Sequence, residues 1–249
     1  REITVVNQTV CGVQTDWSGW CWGRSRWIPD PEVDWLSLTP VRVEGKWRTL
    51  APYQVSPKNG DAEEGMCGIA PDGSSWCWGE STNVPVFGVP ATFGEDLVEA
   101  PGVWASRDVG ATTCGVQIDA SGWCWGVNYL GAVGDGTVVD RETPYEAPGL
   151  WLELSTSHGT TCGVQVDNTG WCWGYNGYFG YVGNGTPTGT VVEPSQIVGR
   201  WLSITRGAGE TTCGIQTDGS AWCWGDNREG QVGDGYISTS RRLPTQVMS

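Results

Sequence analysis

Five times along this chain of 249 residues, two cysteines stand ten positions apart: 11/21, 67/77, 114/124, 162/172 and 213/223. The pairs recur every 47 to 56 residues. A period near fifty marks a repeat architecture, and it restricts the fold before any single residue is considered. In each copy the second cysteine lies between two tryptophans, as in CGVQIDASGWCWG at 114 to 126.

The fullest copies can be read in strands. A Trp-led apolar segment (Trp104, Trp151, Trp201, and more loosely Trp47) is followed by TTCGVQ or a variant, then by an Asp/Gly/Asn/Ser cluster, then by GWCWG. That order is strand, strand, tight turn, strand. A Gly/Asn/Asp-rich loop leads to a fourth extended piece, such as Thr143-Pro144-Tyr145 or 242 to 247, where proline suits an edge strand. Four short strands per fifty residues is one propeller blade. The expected fold is therefore all-β, a single domain over 1–249 with five four-stranded blades. Residues 1 to 6, REITVV, cut the repeat at nearly the same phase as the closing PTQVMS. Ile3 and Val5 are thus expected either to close the ring by joining the last blade, or to exchange into a neighbouring molecule.

Within one such hairpin Cys114 and Cys124 fall opposite each other, where Cβ atoms lie about 4.5 to 5.5 Å apart, close to what a disulfide needs. The same spacing pairs Cys11 with Cys21, Cys67 with Cys77, Cys162 with Cys172 and Cys213 with Cys223. Spacing alone leaves pairing between repeats open. A zinc site would want closely spaced CxxC pairs with further Cys or His, and the chain has no CxxC and one histidine. Because strand side chains alternate, both indoles of Trp123-Cys124-Trp125 point away from the sulfur. They are expected to pack one blade on the next.

A formal net charge of -14 argues against nucleic acid, whose binding rests on Lys and Arg displacing counterions. No run of about eighteen apolar residues is present to span a membrane. The chain opens on Arg1 without a charged-then-apolar leader, as a processed secreted protein would. An extracellular or cell-surface location also fits a disulfide framework.

The loop that follows the hairpin carries a resemblance. Trp224-Gly225-Asp226-Asn227-Arg228-Glu229-Gly230-Gln231-Val232-Gly233-Asp234-Gly235 is similar to the W-G, N-x-x-G-Q-L-G-D-G signature of the regulator of chromosome condensation repeats. WGVNYLGAVGDG at 125 to 136 is close to it, and 173 to 185 matches with one insertion. The resemblance covers all five copies, although the loop motif is absent from the first two. The cysteine-containing version looks like bacterial, extracytoplasmic members. It implies a β-propeller, commonly seven-bladed in that family, whereas five copies suggest five blades here. The family's exchange-factor activity needs a small GTPase and chromatin, and it is not carried over to an acidic, disulfide-bearing chain. Similar secreted bacterial propellers include β-lactamase inhibitors that bind through an aromatic rim.

No catalytic constellation is legible. The single His158 has no nucleophile motif beside it, and the acidic loops at 30 to 34 and 61 to 64 set no fixed carboxylate separation. No enzyme activity, metal or cofactor is expected. The GDG and GNG turns could hold calcium or serve as turns alone, and Asn7 and Asn184 head glycosylation sequons. Binding is expected where the repeat breaks: at Trp27 and Trp35 in RSRWIPDPEVDW, and at Tyr175, Tyr178, Phe179 and Tyr181 in YNGYFGY. The function expected is that of an extracellular protein-binding or structural propeller, self-assembling or bound to a protein partner. The alternatives are a carbohydrate-binding lectin and an enzyme inhibitor.

Overall fold

The computed structural model describes residues 2–6, 8–28, 36–55, 63–79, 98–100, 102–108, 111–207 and 210–248. These residues form strands and turns, and none of them is helical. The chain divides into two compact units, Arg1–Ser106 and Arg107–Ser249. In the first, β1 (Glu2–Val6), β2 (Thr9–Val13), β3 (Gly19–Gly23) and β4 (Ser37–Val43) make one four-stranded sheet in chain order. A second is made by β5 (Thr49–Val55), β6 (Glu63–Ile69), β7 (Ser75–Gly79) and β8 (Val98–Ala100).

Strand β9 (Trp104–Asp108) opens a continuous ladder of ten strands. It runs through β10 (Thr112–Gln117), β11 (Ser121–Gly126), β12 (Arg141–Ser157), β13 (Thr160–Gln165), β14 (Thr169–Tyr175), β15 (Thr190–Arg206), β16 (Thr211–Gln216), β17 (Ala221–Asp226) and β18 (Ser240–Gln246). The 17-residue strands β12 and β15 each serve two blades: β12 pairs with β11 as far as Leu150 and with β13 from Trp151 onward. Each blade is called below by its first cysteine.

Every cysteine-bearing hairpin closes the same way. In the Cys162 blade Asn168 N–H donates to Gln165 O (2.8 Å) and Asn168 itself is left-handed, with φ 66°. This is a type I turn followed by a left-handed residue, a common three-residue hairpin loop. Glycine takes that position at Gly73 and Gly219, while Trp17, Ala120 and Asn168 bear the strain of it. The preceding aspartate fixes the turn: Asp167 Oδ1 accepts both the backbone N–H of Thr169 (2.9 Å) and its hydroxyl (2.6 Å). The hydroxyl oxygen in turn accepts the Nε1–H of Trp171 (2.9 Å). The same relay joins Asp16, Ser18 and Trp20; Asp72, Ser74 and Trp76; Asp119, Ser121 and Trp123; and Asp218, Ser220 and Trp222.

This register sets each cysteine opposite its partner, and all five disulfides form within their own hairpins. Loops this short contribute about 3 kcal/mol each in the chain-entropy account.

Blades meet disulfide to indole. The Cys162–Cys172 bridge, Val164, Val182 and Ile197 pack against Trp201, Ile204 and Trp224 of the next blade. Cys114–Cys124, Val116, Val133 and Ala147 meet Trp151, Leu154 and Trp173 in the same way. In the first unit Cys11–Cys21, Val13 and Val43 meet Trp47, Leu50, Met66 and Trp78. Three of the leading tryptophans lie between two glycines. Trp201 touches the Cβ positions of Gly170 and Gly214, Trp151 those of Gly122 and Gly163, and Trp47 those of Gly19 and Gly68. The glycines of CGVQ and GWCWG are therefore the walls of an indole slot.

The two tryptophans flanking the second cysteine have different roles, where the sequence suggests one. Trp78, Trp125, Trp173 and Trp224 are buried, and Trp173 Nε1–H donates to Ala132 O of the preceding blade (2.8 Å). Trp76, Trp123, Trp171 and Trp222 are half-buried and belong to the turn relay.

The expected closure through the first strand is corrected. Ile3 and Val5 lie in β1, which pairs with β2 of its own sheet from Glu2↔Val13 to Val6↔Thr9. The Cys213 blade already has its four strands, β15 to β18. A connection of two residues between β1 and β2 makes the local hairpin the nearest partner, with no long loop to close.

Two measurements test these assignments. Gly170→Ala forces a methyl into Trp201 and Ile204 and is expected to cost about 1 to 3 kcal/mol, read from the urea midpoint. A neutral result would show that the slot is not tight. The second concerns pH. Hydrogen bonds from Ser or Thr hold Asp16, Asp72, Asp119, Asp167 and Asp218 below the ordinary 3.8. Their stabilisation is present above that value and is lost as pH falls through their lowered folded values. Burial pushes Asp108 and Glu153 up, so their contribution has the opposite sign and favours mild acid. The melting temperature should hold or rise from neutral pH toward about 5 and fall steeply below about 4. A midpoint unchanged between about pH 4 and 2 would remove the turn aspartates from the account.

Candidate functional site

The loop between β14 and β15 is built around a buried asparagine. Asn176 is 1% exposed; its Nδ2 donates to the backbone oxygen (3.1 Å) and hydroxyl (2.8 Å) of Thr186, and its Oδ1 accepts Val182 N–H (2.8 Å). Asn128 and Asn227, both fully buried, do the same in the equivalent loops, accepting from Val133 N–H and Val232 N–H. One asparagine thus ties each loop across its base.

From that base the aromatic residues diverge. Tyr181 is buried, and its ring meets Tyr175 (5.7 Å) and Phe179 (6.1 Å). Its carbonyl accepts Trp224 Nε1–H (2.8 Å) and the Thr212 hydroxyl (3.1 Å). Tyr181 is scaffold, a role its place in YNGYFGY does not reveal. Tyr175 and Phe179 are half-buried, whereas Tyr178 is 76% exposed.

Cations brace this cluster. The Arg206 guanidinium lies 4.7 Å from the Tyr181 ring centre and donates through Nη1 to Ser157 O (2.8 Å). Burial lowers the Arg206 pKa, while burial and the charge of Glu210 push the Tyr181 phenol up. Arg228 covers Phe179 at 4.4 Å and grips Asp226 through two nitrogens, each at 3.0 Å. Glu210 lies 3.5 Å from Arg228.

In the equivalent loop of the preceding blade the residue after the buried asparagine is Tyr129, which is 52% exposed. Tyr129, Tyr178 and the exposed Arg228 therefore stand on three successive loops of the second unit. Sequence reasoning missed Tyr129, although its place after Asn128 in the WGVN motif was a usable signal. Arg206, Arg228 and Glu210 carried none.

Trp27 is partly buried against the core of the Cys11 blade, and its carbonyl accepts Trp78 Nε1–H (3.1 Å). It has the part that Ala132 and Tyr181 have elsewhere, so it belongs to the blade pattern it seemed to break. Trp35 lies outside the described residues, as does Asn7. The GDG carboxylates are engaged by arginines: Asp135 by Arg141 (2.8 Å) and Asp234 by Arg241 (2.5 Å). Asn184 turns back on its own sequon, its Oδ1 accepting the N–H (3.0 Å) and hydroxyl (2.6 Å) of Thr186. His158 sits in a left-handed turn (φ 49°), with Nδ1 2.8 Å from Ser157 Oγ of the adjacent residue.

Residues 218–249 match the regulator of chromosome condensation (RCC1) repeat. The fold is that of the RCC1 propellers. Prp20p from Saccharomyces cerevisiae superposes with a TM-score of 0.80 at 14% identity, over 100% of this chain and 63% of that one. Human WBSCR16 gives 0.73 at 14% identity, over 98% and 65%. Yeast RCC1 (Prp20) bound to Kap60 gives 0.71 at 15%, over 98% and 63%. The chain thus spans less than two thirds of the length of each. By sequence, no curated protein matches it. The RCC1 match falls on the blade whose loop keeps Asn227, Gly230, Gly233 and Asp234 in the family spacing.

Asn176→Ala would leave Val182 N–H and the Thr186 oxygen without their partner, at a cost of about 1 to 3 kcal/mol. Urea unfolding of the variant measures this; a loss below about 0.5 kcal/mol, typical of surface sites, would contradict the tie.

Proposed function

We propose that this chain is a non-enzymatic, protein-binding propeller of an oxidising, extracellular or cell-surface environment. The observation that carries the reading is Tyr178, 76% exposed on a loop whose other aromatics are half-buried or buried, clasped by Arg206 and Arg228. A tyrosine presented on a braced loop loses little freedom on binding, the property of an interaction hot spot. Tyr129 and Arg228 extend the same rim with residue types that interfaces favour.

The likeness in fold supports protein rather than small-molecule recognition. Prp20p is described by its binding to Gsp1p and histones, and yeast RCC1 by its complex with Kap60. Five disulfides within hairpins support the oxidising compartment. Self-association is the structural form of this function, and a secreted inhibitor its soluble form.

The test compares wild type with Tyr178→Ala and Tyr129→Ala on arrays of extracellular proteins and of glycans. Each variant should keep wild-type stability within about 0.5 kcal/mol, as at other surface positions. Each should also weaken protein binding about tenfold or more, the equivalent of 1.4 kcal/mol. Glycan signals lost on Tyr178→Ala, without a protein ligand, would replace this reading by the lectin.

A further inference from the structure

Two successive blade junctions of the second unit are filled differently. Where the Cys162 and Cys213 blades meet, the carbonyl of Tyr181 accepts both Trp224 Nε1–H and the Thr212 hydroxyl. One junction earlier Ala132 O does the same for Trp173 Nε1–H (2.8 Å) and the Thr161 hydroxyl (2.7 Å), so the two residues are counterparts. Tyr175 and Val127 correspond likewise, each donating its N–H to the residue before TTC, Gly159 O and Ala111 O (2.8 Å each). Arg206 and Thr156 correspond by register, standing opposite Thr212 and Thr161. Tyrosine, tyrosine and arginine in one junction are thus replaced by valine, alanine and threonine in the other.

The smaller set leaves a space. Arg206 and Tyr181 are 6% and 3% exposed and close their own junction. The junction of the Cys114 and Cys162 blades keeps a hollow of about 240 Å³, lined by Thr112, Val127, Tyr129, Leu130, Thr156 and His158 among others. That is below the roughly 300 to 1,000 Å³ of small-molecule sites and suits a single side chain. The charge differs as well. Four residues after its leading tryptophan the Cys114 blade has Asp108, where the Cys162 blade has Ser155. Asp108 Oδ2 accepts Thr156 N–H (2.9 Å) and the Ser155 hydroxyl (3.2 Å), and among the described residues no cation stands against it. Burial disfavours its charge, which a cation brought close would restore. One junction contains its own arginine; the other has a carboxylate behind Thr156 and an empty place of side-chain size.

We propose that this hollow receives an arginine side chain of the partner protein, set against Tyr129 as Arg206 is set against Tyr181. This rests on the reading of the chain as a protein-binding propeller, and it supplies the partner's chemistry. Arg206 shows the fit within the same fold, its guanidinium 4.7 Å from a tyrosine ring centre and donating to Ser157 O (2.8 Å). Tyr129, 52% exposed, offers the corresponding ring to a guest from outside. A planar guanidinium can stack on that ring while donating from its edge, which a lysine ammonium does not combine. The net charge of -14 also draws a cationic segment to the chain.

Nitrogen-15 spectra of the intact chain test this, in titrations with a blocked Gly-Ser-Arg-Ser-Gly peptide and with the same peptide carrying citrulline, which keeps the shape and loses the charge. The arginine peptide should shift the amides of Leu130, Thr156 and Gly159. Citrulline should bind at least about tenfold more weakly, as the loss of charge-assisted hydrogen bonds predicts. Thr156→Arg gives the hollow an arginine of its own; it should keep the wild-type melting temperature and abolish these shifts. Asp108→Asn and Tyr129→Ala should each weaken the arginine peptide in a folded chain. Equal binding of citrulline, shifts confined to other parts of the chain, arginine binding that survives Thr156→Arg, or a Thr156→Arg chain that does not fold would each overturn the proposal. So would tighter binding of a tyrosine peptide of the same length, since the guest would then be aromatic. On the protein array, a ligand lost on Tyr178→Ala but kept by Thr156→Arg would overturn the arginine hollow and leave the protein-binding reading standing. Arginine-dependent shifts at the hollow without any protein ligand would uphold the hollow and remove that reading.

Discussion

An indole enters a blade contact most closely where both neighbouring backbones lack a side chain, although Trp104 is buried with Ser75 in the equivalent place. The slots around Trp47, Trp151 and Trp201 meet this requirement with paired glycines, one from each of two adjacent hairpins. Burying such a ring removes on the order of 200 Å² of apolar surface, roughly 5 kcal/mol of transfer free energy. The rest of the blade geometry serves that burial. The disulfide holds the hairpin in the register that aligns its glycine with the ring, and the aspartate relay fixes the turn that sets the register. Losing any of the three opens the same contact.

This dependence explains what the sequence revealed. The cysteine spacing, the WCWG letters and the Asp/Gly turns repeat because each enforces the slot, so fold class, hairpins and disulfide pairing could be read from them. The D-x-[S/T]-x-W relay was equally present in five copies, but its meaning lies in a hydroxyl that bridges carboxylate and indole, which periodicity does not report. Residues that seemed to break the pattern proved partly continuous with it. Trp27 and Tyr181 lend carbonyls to the next blade's indole, so their side chains' aromatic character says little about their position. Burial separates Tyr178 from Tyr181 three residues later, and only the fold of the loop around Asn176 decides which of them faces outward.

The pairing of the first strand shows a different limit. Matching phases at the two ends of the chain suggested strand exchange, yet the register of β1 with β2 follows from the short connection between them. The matching phases mark the repeat itself, since each copy runs through the same order of strands.

The sealed position of the sulfurs bears on when they can react. Cys162 and Cys172 are close enough in sequence to meet in a nascent hairpin, before neighbouring blades assemble, and afterwards both have no exposed surface. Thiol–disulfide exchange needs an attacking thiolate to reach sulfur along its bond. Oxidation is therefore confined to the period of folding, and the native bridges are shielded from the redox poise of their surroundings. Only Cys213 is partly open to solvent among the described cysteines, so the last bridge is the one that an external thiolate can reach.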